Sequence, residues 1–151
     1  MARIEIITED LDGKDYKRPG FNVSETVGGG GRNLIGDVML VQAAMQFIGL
    51  GAPEFVRFVR KRKPTGKFDA ETGREIWEFQ RTWRFKLLAM DGLVHPASFE
   101  NRRLKLGGPK MMIKLLNTFA LLSSSSIREG TDYLPALQRR FPELRPFLAE
   151  K

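Results

Sequence analysis

Arg57, Arg60, Lys61, Arg62 and Lys63 crowd one short stretch. Their guanidinium and ammonium groups suit carboxylates or phosphates, which they grip through charge-assisted hydrogen bonds. Because Phe55, Val56, Phe58 and Val59 are interleaved with them, the run also reads as the solvated side of a short amphipathic segment. Trp83 closes the series Thr72, Ile76, Phe79, Trp83, spaced by four, three and four, which places it on the buried face of a helix. Trp77 lies off that stripe. It is the better candidate for a surface aromatic contact to a glycan or partner, whereas Trp83, followed by Arg84, could stack a sugar ring only with its indole exposed. His95 is the single histidine and stands directly before Pro96. It reads first as a turn residue and second as a ligand contact.

The chemistry of catalysis is thin. One histidine and no cysteine leave a zinc site without its usual nitrogen and sulfur ligands. A glycosidase needs two carboxylates sharing a cleft, and Glu71, Glu75 and Glu78 are assigned to the solvent side of a helix. Ser123 to Ser126 have no partnered base in sequence context and read as a break. The expectation is a non-enzymatic protein that calls for no cofactor.

A chain of 151 residues allows one compact core with extensions. Its hydrophobic fraction of 42% and charged fraction of 28% are those of a globular protein. A formal charge of +7 favours anionic partners: nucleic acid, acidic membrane surfaces or a wall polymer. Nucleic acid ranks last, since no aromatic-interleaved groove or known motif accompanies the charge. The longest apolar stretch, 111–122, is interrupted by Lys114, Asn117 and Thr118 and falls short of a membrane span. The opening MARIEIITE carries no visible secretory signal, which leaves a cytoplasmic location or export by a specialised route towards the cell envelope.

The elements that position these residues follow from periodicity. Residues 4–8 alternate as a short strand without an evident partner, and Asp12-Gly13 and Pro19-Gly20 supply turns. Gly28 to Gly31 lack the lysine and hydroxyl residue of a phosphate loop and read as a flexible linker. From Asp37, suited to cap a helix, Val38, Val41, Met45 and Ile48 share a face. Asp69 opens a second helix. Pro96 is placed to start a third, through Phe99 and Leu104. The apolar 111–122 helix must bury itself against the preceding unit or a partner, and Pro135, Pro142 and Pro146 divide the tail into short helical pieces.

Gly36-Asp37-Val38 with Val41-Gln42 and Met45, Gly66-Lys67-Phe68-Asp69 with Thr72, Ile76 with Phe79-Gln80, and Asp91-Gly92-Leu93-Val94 with Pro96 occur in order. This series resembles the peptidoglycan-binding-like domain family over about two fifths of the chain. The sequence departs from the family pattern in its longer basic loop, in Val94-His95-Pro96 and in Phe99. The resemblance implies an all-α fold. It would be a small three-helix bundle at 34–108, preceded by an extended segment and glycine-rich linker at 1–33 and followed by a helical extension at 109–151. Gln42 and Gln80 are expected to bond loop backbone at the helix junctions.

The resemblance further implies a module that holds peptidoglycan, or another anionic cell-wall polymer, without cutting it. Arg57, Arg60, Lys61, Arg62, Lys63, Trp77, Arg84 and His95 are its candidate contacts. The alternative is a protein-interaction or assembly component of a phage or secretion machine. There the module is scaffold and the C-terminal helices dock a protein partner.

Overall fold

The computed structural model describes residues 2–11, 14–84, 90–97, 111–130 and 132–150. At its centre lies α1 (Ile35–Gly51), in which every residue from 36 to 45 is buried, together with Phe47 and Ile48. The sequence pattern promised one apolar face. A helix apolar on all sides is satisfied only in the middle of a core, and the other elements wrap around it. Asp37 does not cap this helix, whose N-cap is Leu34. Its fully buried carboxylate instead accepts hydrogen bonds from the amides of Ser24 (2.8 Å) and Glu25 (2.9 Å) and from the Ser24 hydroxyl, tying the incoming chain to the first helical turn.

The fold is not all-α. β1 (Ala2–Leu11) pairs antiparallel with β2 (Lys14–Asn22), in register from Arg3 opposite Asn22 to Leu11 opposite Lys14. β3 (Val27–Gly28) pairs antiparallel with β4 (Leu93–Val94). β5 (Leu148–Glu150) runs parallel to β1, so that the two ends of the described chain meet in one mixed sheet of order β2-β1-β5. The first strand therefore has partners on both sides. Residues 14–22 lack the apolar alternation that marks a strand in sequence, and backbone pairing does not require it.

Gly28 to Gly31 form a hydrogen-bonded turn. The Asn33 side chain accepts from Gly28 N–H (2.7 Å) and donates to the carbonyls of Gly28 (2.9 Å) and Gly31 (3.1 Å). Gly28 adopts φ +137° and passes so close to the 91–94 turn that a Cβ there would lie 2.3 Å from the Gly92 carbonyl oxygen. Only glycine fits that approach.

α2 (Ala70–Thr82) is capped as its sequence indicates, Asp69 accepting from the Thr72 amide at 2.8 Å. Its stripe Thr72, Ile76 and Phe79 is buried, and the half-buried Trp83 packs edge-on against Phe55 while its indole N–H donates to the Phe55 carbonyl. α3 (Met111–Ser126) buries Met112, Ile113, Leu116, Phe119 and Ala120 in the same core. This is the first of the two fates expected for the apolar helix, and those side chains are spent on the chain's own interior. The four serines end α3 and do not break it. Ser123, fully buried, donates to the Phe47 carbonyl (2.7 Å) and accepts from Gly51 N–H (2.9 Å). The tail folds as α4 (Tyr133–Arg140) and a 3-10 segment, Pro142–Phe147; of the three prolines only Pro142 marks a division, since Pro135 lies in the first turn of α4 and Pro146 inside the 3-10 segment.

Buried Asn117 joins these parts. It exchanges hydrogen bonds with both backbone groups of Phe21 and accepts from the Tyr133 hydroxyl. No helix among the described residues is long and apolar enough to cross a membrane. The helix expected from Pro96 through Phe99 and Leu104, and the Asp12-Gly13 turn, lie outside the described residues, and 95–97 are not helical.

Candidate functional site

Two glutamines lock the turns on which the basic stretch depends. Gln42 on α1, nearly fully buried, accepts from the amides of Thr65 (2.8 Å) and Gly66 (2.9 Å) and donates to the Lys67 carbonyl (3.0 Å) and the Thr72 hydroxyl (2.9 Å). Gln80 on α2 does the same for the second turn, accepting from Gly92 N–H (2.8 Å) and donating to the Leu93 carbonyl (2.9 Å). Both serve the backbone-bonding role expected of them.

Leading into the first of these turns, residues 56–65 run without regular structure after a 3-10 turn at Pro53–Phe55. Gln46 on α1 pins the stretch by donating to the Arg60 carbonyl (2.6 Å) and accepting from Arg62 N–H (3.2 Å). Arg62 pins it from the α2 side. Its guanidinium donates to Asp69 (3.0 Å) and Thr72 Oγ1 (2.9 Å) and lies 3.6 Å from Glu75. The segment alternates as an extended chain must: Lys61 out, Arg62 in, Lys63 out.

Glu75 is not on the solvent side. It is 1% exposed, and its Oε1 has no hydrogen-bond partner among the described residues. Burial pushes its carboxyl above the ordinary range, and the Arg62 charge only partly opposes this. Asp69 shifts the other way. Burial acts upward there too, but the Thr72 hydroxyl and amide and the Arg62 guanidinium outweigh it and hold the carboxyl low.

Gln46, Leu50, Lys61, Arg62, Lys63, Arg140 and Phe141 enclose a cleft of about 390 Å³ between the basic segment and the ends of α1 and α4. Among its cations, Arg62 is engaged inward and Arg140 lies 3.3 Å from Glu129, which also holds Arg139 at 2.7 Å. Lys61 and Lys63 make no ion pair among the described residues and are exposed. Leu50, 43% exposed near the end of α1, and the half-buried Phe141 supply an apolar wall.

The remaining expected contacts do not line this cleft. Arg57 and Arg60 are exposed, Arg60 reaching Glu71 at 3.9 Å. Trp77 is 44% exposed on α2, with Arg74 paired to Glu71 and Arg81 to Glu78 on the same helix. Arg84 is exposed just beyond α2. His95 bridges Asp91 (3.1 Å) and the Thr26 hydroxyl (3.2 Å). These three stand in the order of a nucleophile, base and acid. Asp91 also accepts from Leu93 N–H and Gln80, and the chain of bonds ties the loop at Thr26 to the loop at 91–95.

No family model, curated protein or solved structure matches this chain. Its function must be argued from its own residues. The sequence reading found the three loop residues of the cleft but missed Gln46, Leu50, Arg140 and Phe141, whose approach is set by tertiary packing. Leu50 carries no local signal either, since Leu40 and Phe47 lie equally off the series Val38, Val41, Met45, Ile48 and are buried.

Proposed function

We propose that this chain is a non-catalytic binding module of the peptidoglycan-binding-like type, holding an anionic cell-wall polymer at the cleft beside residues 60–63. The reading is carried by Lys61 and Lys63, two ammonium groups at one cleft that pair with no carboxylate among the described residues, although nearby Arg62, Arg74 and Arg140 each have one. Unpaired like charges held together raise the local concentration of opposite charge. A net charge of +7 adds a long-range pull in the same direction.

The architectural half of the proposal draws support from Gln42, Asp69, Thr72 and Gln80. These four motif residues each fasten a turn to a helix. Such turn locks are what the quoted motif blocks would be for in any member of the family.

The test is co-sedimentation with purified sacculi at low ionic strength. Wild-type protein is expected in the pellet, a Lys61→Glu/Lys63→Glu variant largely in the supernatant, and the incubated wall should release no new reducing ends or amino groups. Wild-type protein that stays in the supernatant would sink the wall-binding reading.

A further inference from the structure

The cleft at residues 60–63 joins two features that a plain anion patch would not combine. One side is the extended segment, whose Lys61 and Lys63 project together because side chains two residues apart share a face. In extended backbone that places their attachment points about 6.6 Å apart. The other side presents Leu50 and Phe141. Leu50 and, at the opposite end, Ile35 are the exposed large apolar side chains of α1, and Leu50 is the one at the cleft.

From this juxtaposition we infer that the cleft takes an extended acidic peptide, with carboxylates at alternate positions facing Lys61 and Lys63 and an intervening aliphatic side chain against Leu50 and Phe141. An extended peptide repeats its side chains at the same spacing as the lysines and points the intervening one the opposite way. Two carboxylates thus meet two ammonium groups while the residue between them faces the apolar wall. A sulfated or phosphorylated sugar would satisfy the lysines but leave Leu50 wet, forfeiting the burial that an aliphatic group provides. Arg62 also lines the cleft, but its guanidinium is already engaged by the chain itself. It is a positioning residue: its fork is filled by Asp69 and Thr72, and that anchorage turns its two neighbours outward. The inference rests on the wall-binding reading for its biological setting, in which the occupant is the peptide arm of the wall and not the glycan strand.

Calorimetric titration of the full chain with acetyl-Glu-Leu-Glu-amide tests it. Binding should weaken about five- to tenfold in Lys61→Glu/Lys63→Glu, and about threefold or more in Leu50→Ser or when the peptide's leucine is serine. All three substituted residues are exposed, so the variants should fold, and unchanged thermal unfolding checks this. The inference is overturned if the peptide gives no binding at millimolar concentration. It is equally overturned if both leucine changes are silent, or if a heparin-derived tetrasaccharide binds as tightly with the same lysine dependence. Sacculi stripped of peptide by an amidase separate the two readings. Protein that pellets with bare glycan yet ignores the peptide refutes the inference and spares the wall reading, whereas protein that binds the peptide but not intact sacculi does the reverse.

Discussion

Replacing Arg62 with methionine keeps an aliphatic stem but removes the cation paired with buried Glu75. At 3.6 Å the pair attracts by roughly 4 to 5 kcal/mol for an effective dielectric of about 20. The loss cannot reach that figure, because Glu75 has another way out: it can take up a proton. Holding a carboxyl protonated at pH 7 against an unfolded value of 4.5 costs about 3.4 kcal/mol, and the burial penalty already borne in the wild type lowers the net loss below that figure. In the variant the native state keeps a proton that the unfolded chain releases, so stability falls as pH rises, by up to about 1.4 kcal/mol per unit above 4.5. The hydrogen bonds to Asp69 and Thr72 add a loss of about 1 to 2 kcal/mol that depends less on pH. Urea unfolding of wild type, Arg62→Met and Arg62→Met/Glu75→Gln from pH 4.5 to 7.5 measures these components. The penalty of the single variant should be small at the acid end and largest at the alkaline end, and the added Glu75→Gln should abolish the extra slope. A penalty independent of pH, or a double variant no better than the single one at pH 7, would show that Glu75 does not depend on Arg62.

The close approach of α1 and α3 makes neighbouring glycines behave oppositely. Gly51→Ala puts a Cβ 2.2 Å from the Ser123 carbonyl oxygen and should cost about 1 to 3 kcal/mol, whereas at Gly49 the nearest atom is 3.6 Å away and alanine should stabilise the helix by up to about 1 kcal/mol; denaturation midpoints moving in opposite directions are the check. Gln42→Ala strips partners from the Thr65 and Gly66 amides and the Lys67 carbonyl, a loss of about 2 to 4 kcal/mol, with amide exchange faster first at residues 65 and 66. A chain ending at residue 110 should be insoluble, since α3 and α4 supply Ile113, Leu116, Phe119 and Leu137 to the common core. A soluble, cooperatively unfolding product would show that the tail is an appendage.

What the sequence disclosed and what it hid divide along the range of the interactions. Asp69 over Thr72, and the stripe Thr72, Ile76, Phe79, are settled within a few residues, and period and capping chemistry reveal them. Glu75 sits three residues after Thr72 and four before Phe79, on the edge of that stripe. Charge alone assigned it to solvent; its burial follows from Arg62 arriving from another segment. The pairing of β5 with β1 joins residues at opposite ends of the described chain, and no local pattern announces three parallel ladder positions. Asn33 closes the glycine turn from just beyond it, by side-chain bonds a composition argument does not see. Asn117 was visible as a polar residue in an apolar helix. Its meaning, anchorage of Phe21 and Tyr133, needed the hairpin and α4 in place.

The division of labour in the basic stretch then has a physical cause. An arginine's planar fork can fill two acceptors on one helix end at once, so Arg62 and Arg74 turn their charge into internal structure, with Asp69 and Thr72 in one case and Glu71 and the Phe58 carbonyl in the other. Lysine offers a compact, strongly hydrated charge that gains less from such a fixed fork. An extended segment anchored at every second residue must turn the residues between towards solvent. With Arg62 as the anchor, Lys61 and Lys63 are exposed by geometry alone, and the cleft's free charge is a consequence of where its one internal arginine stands.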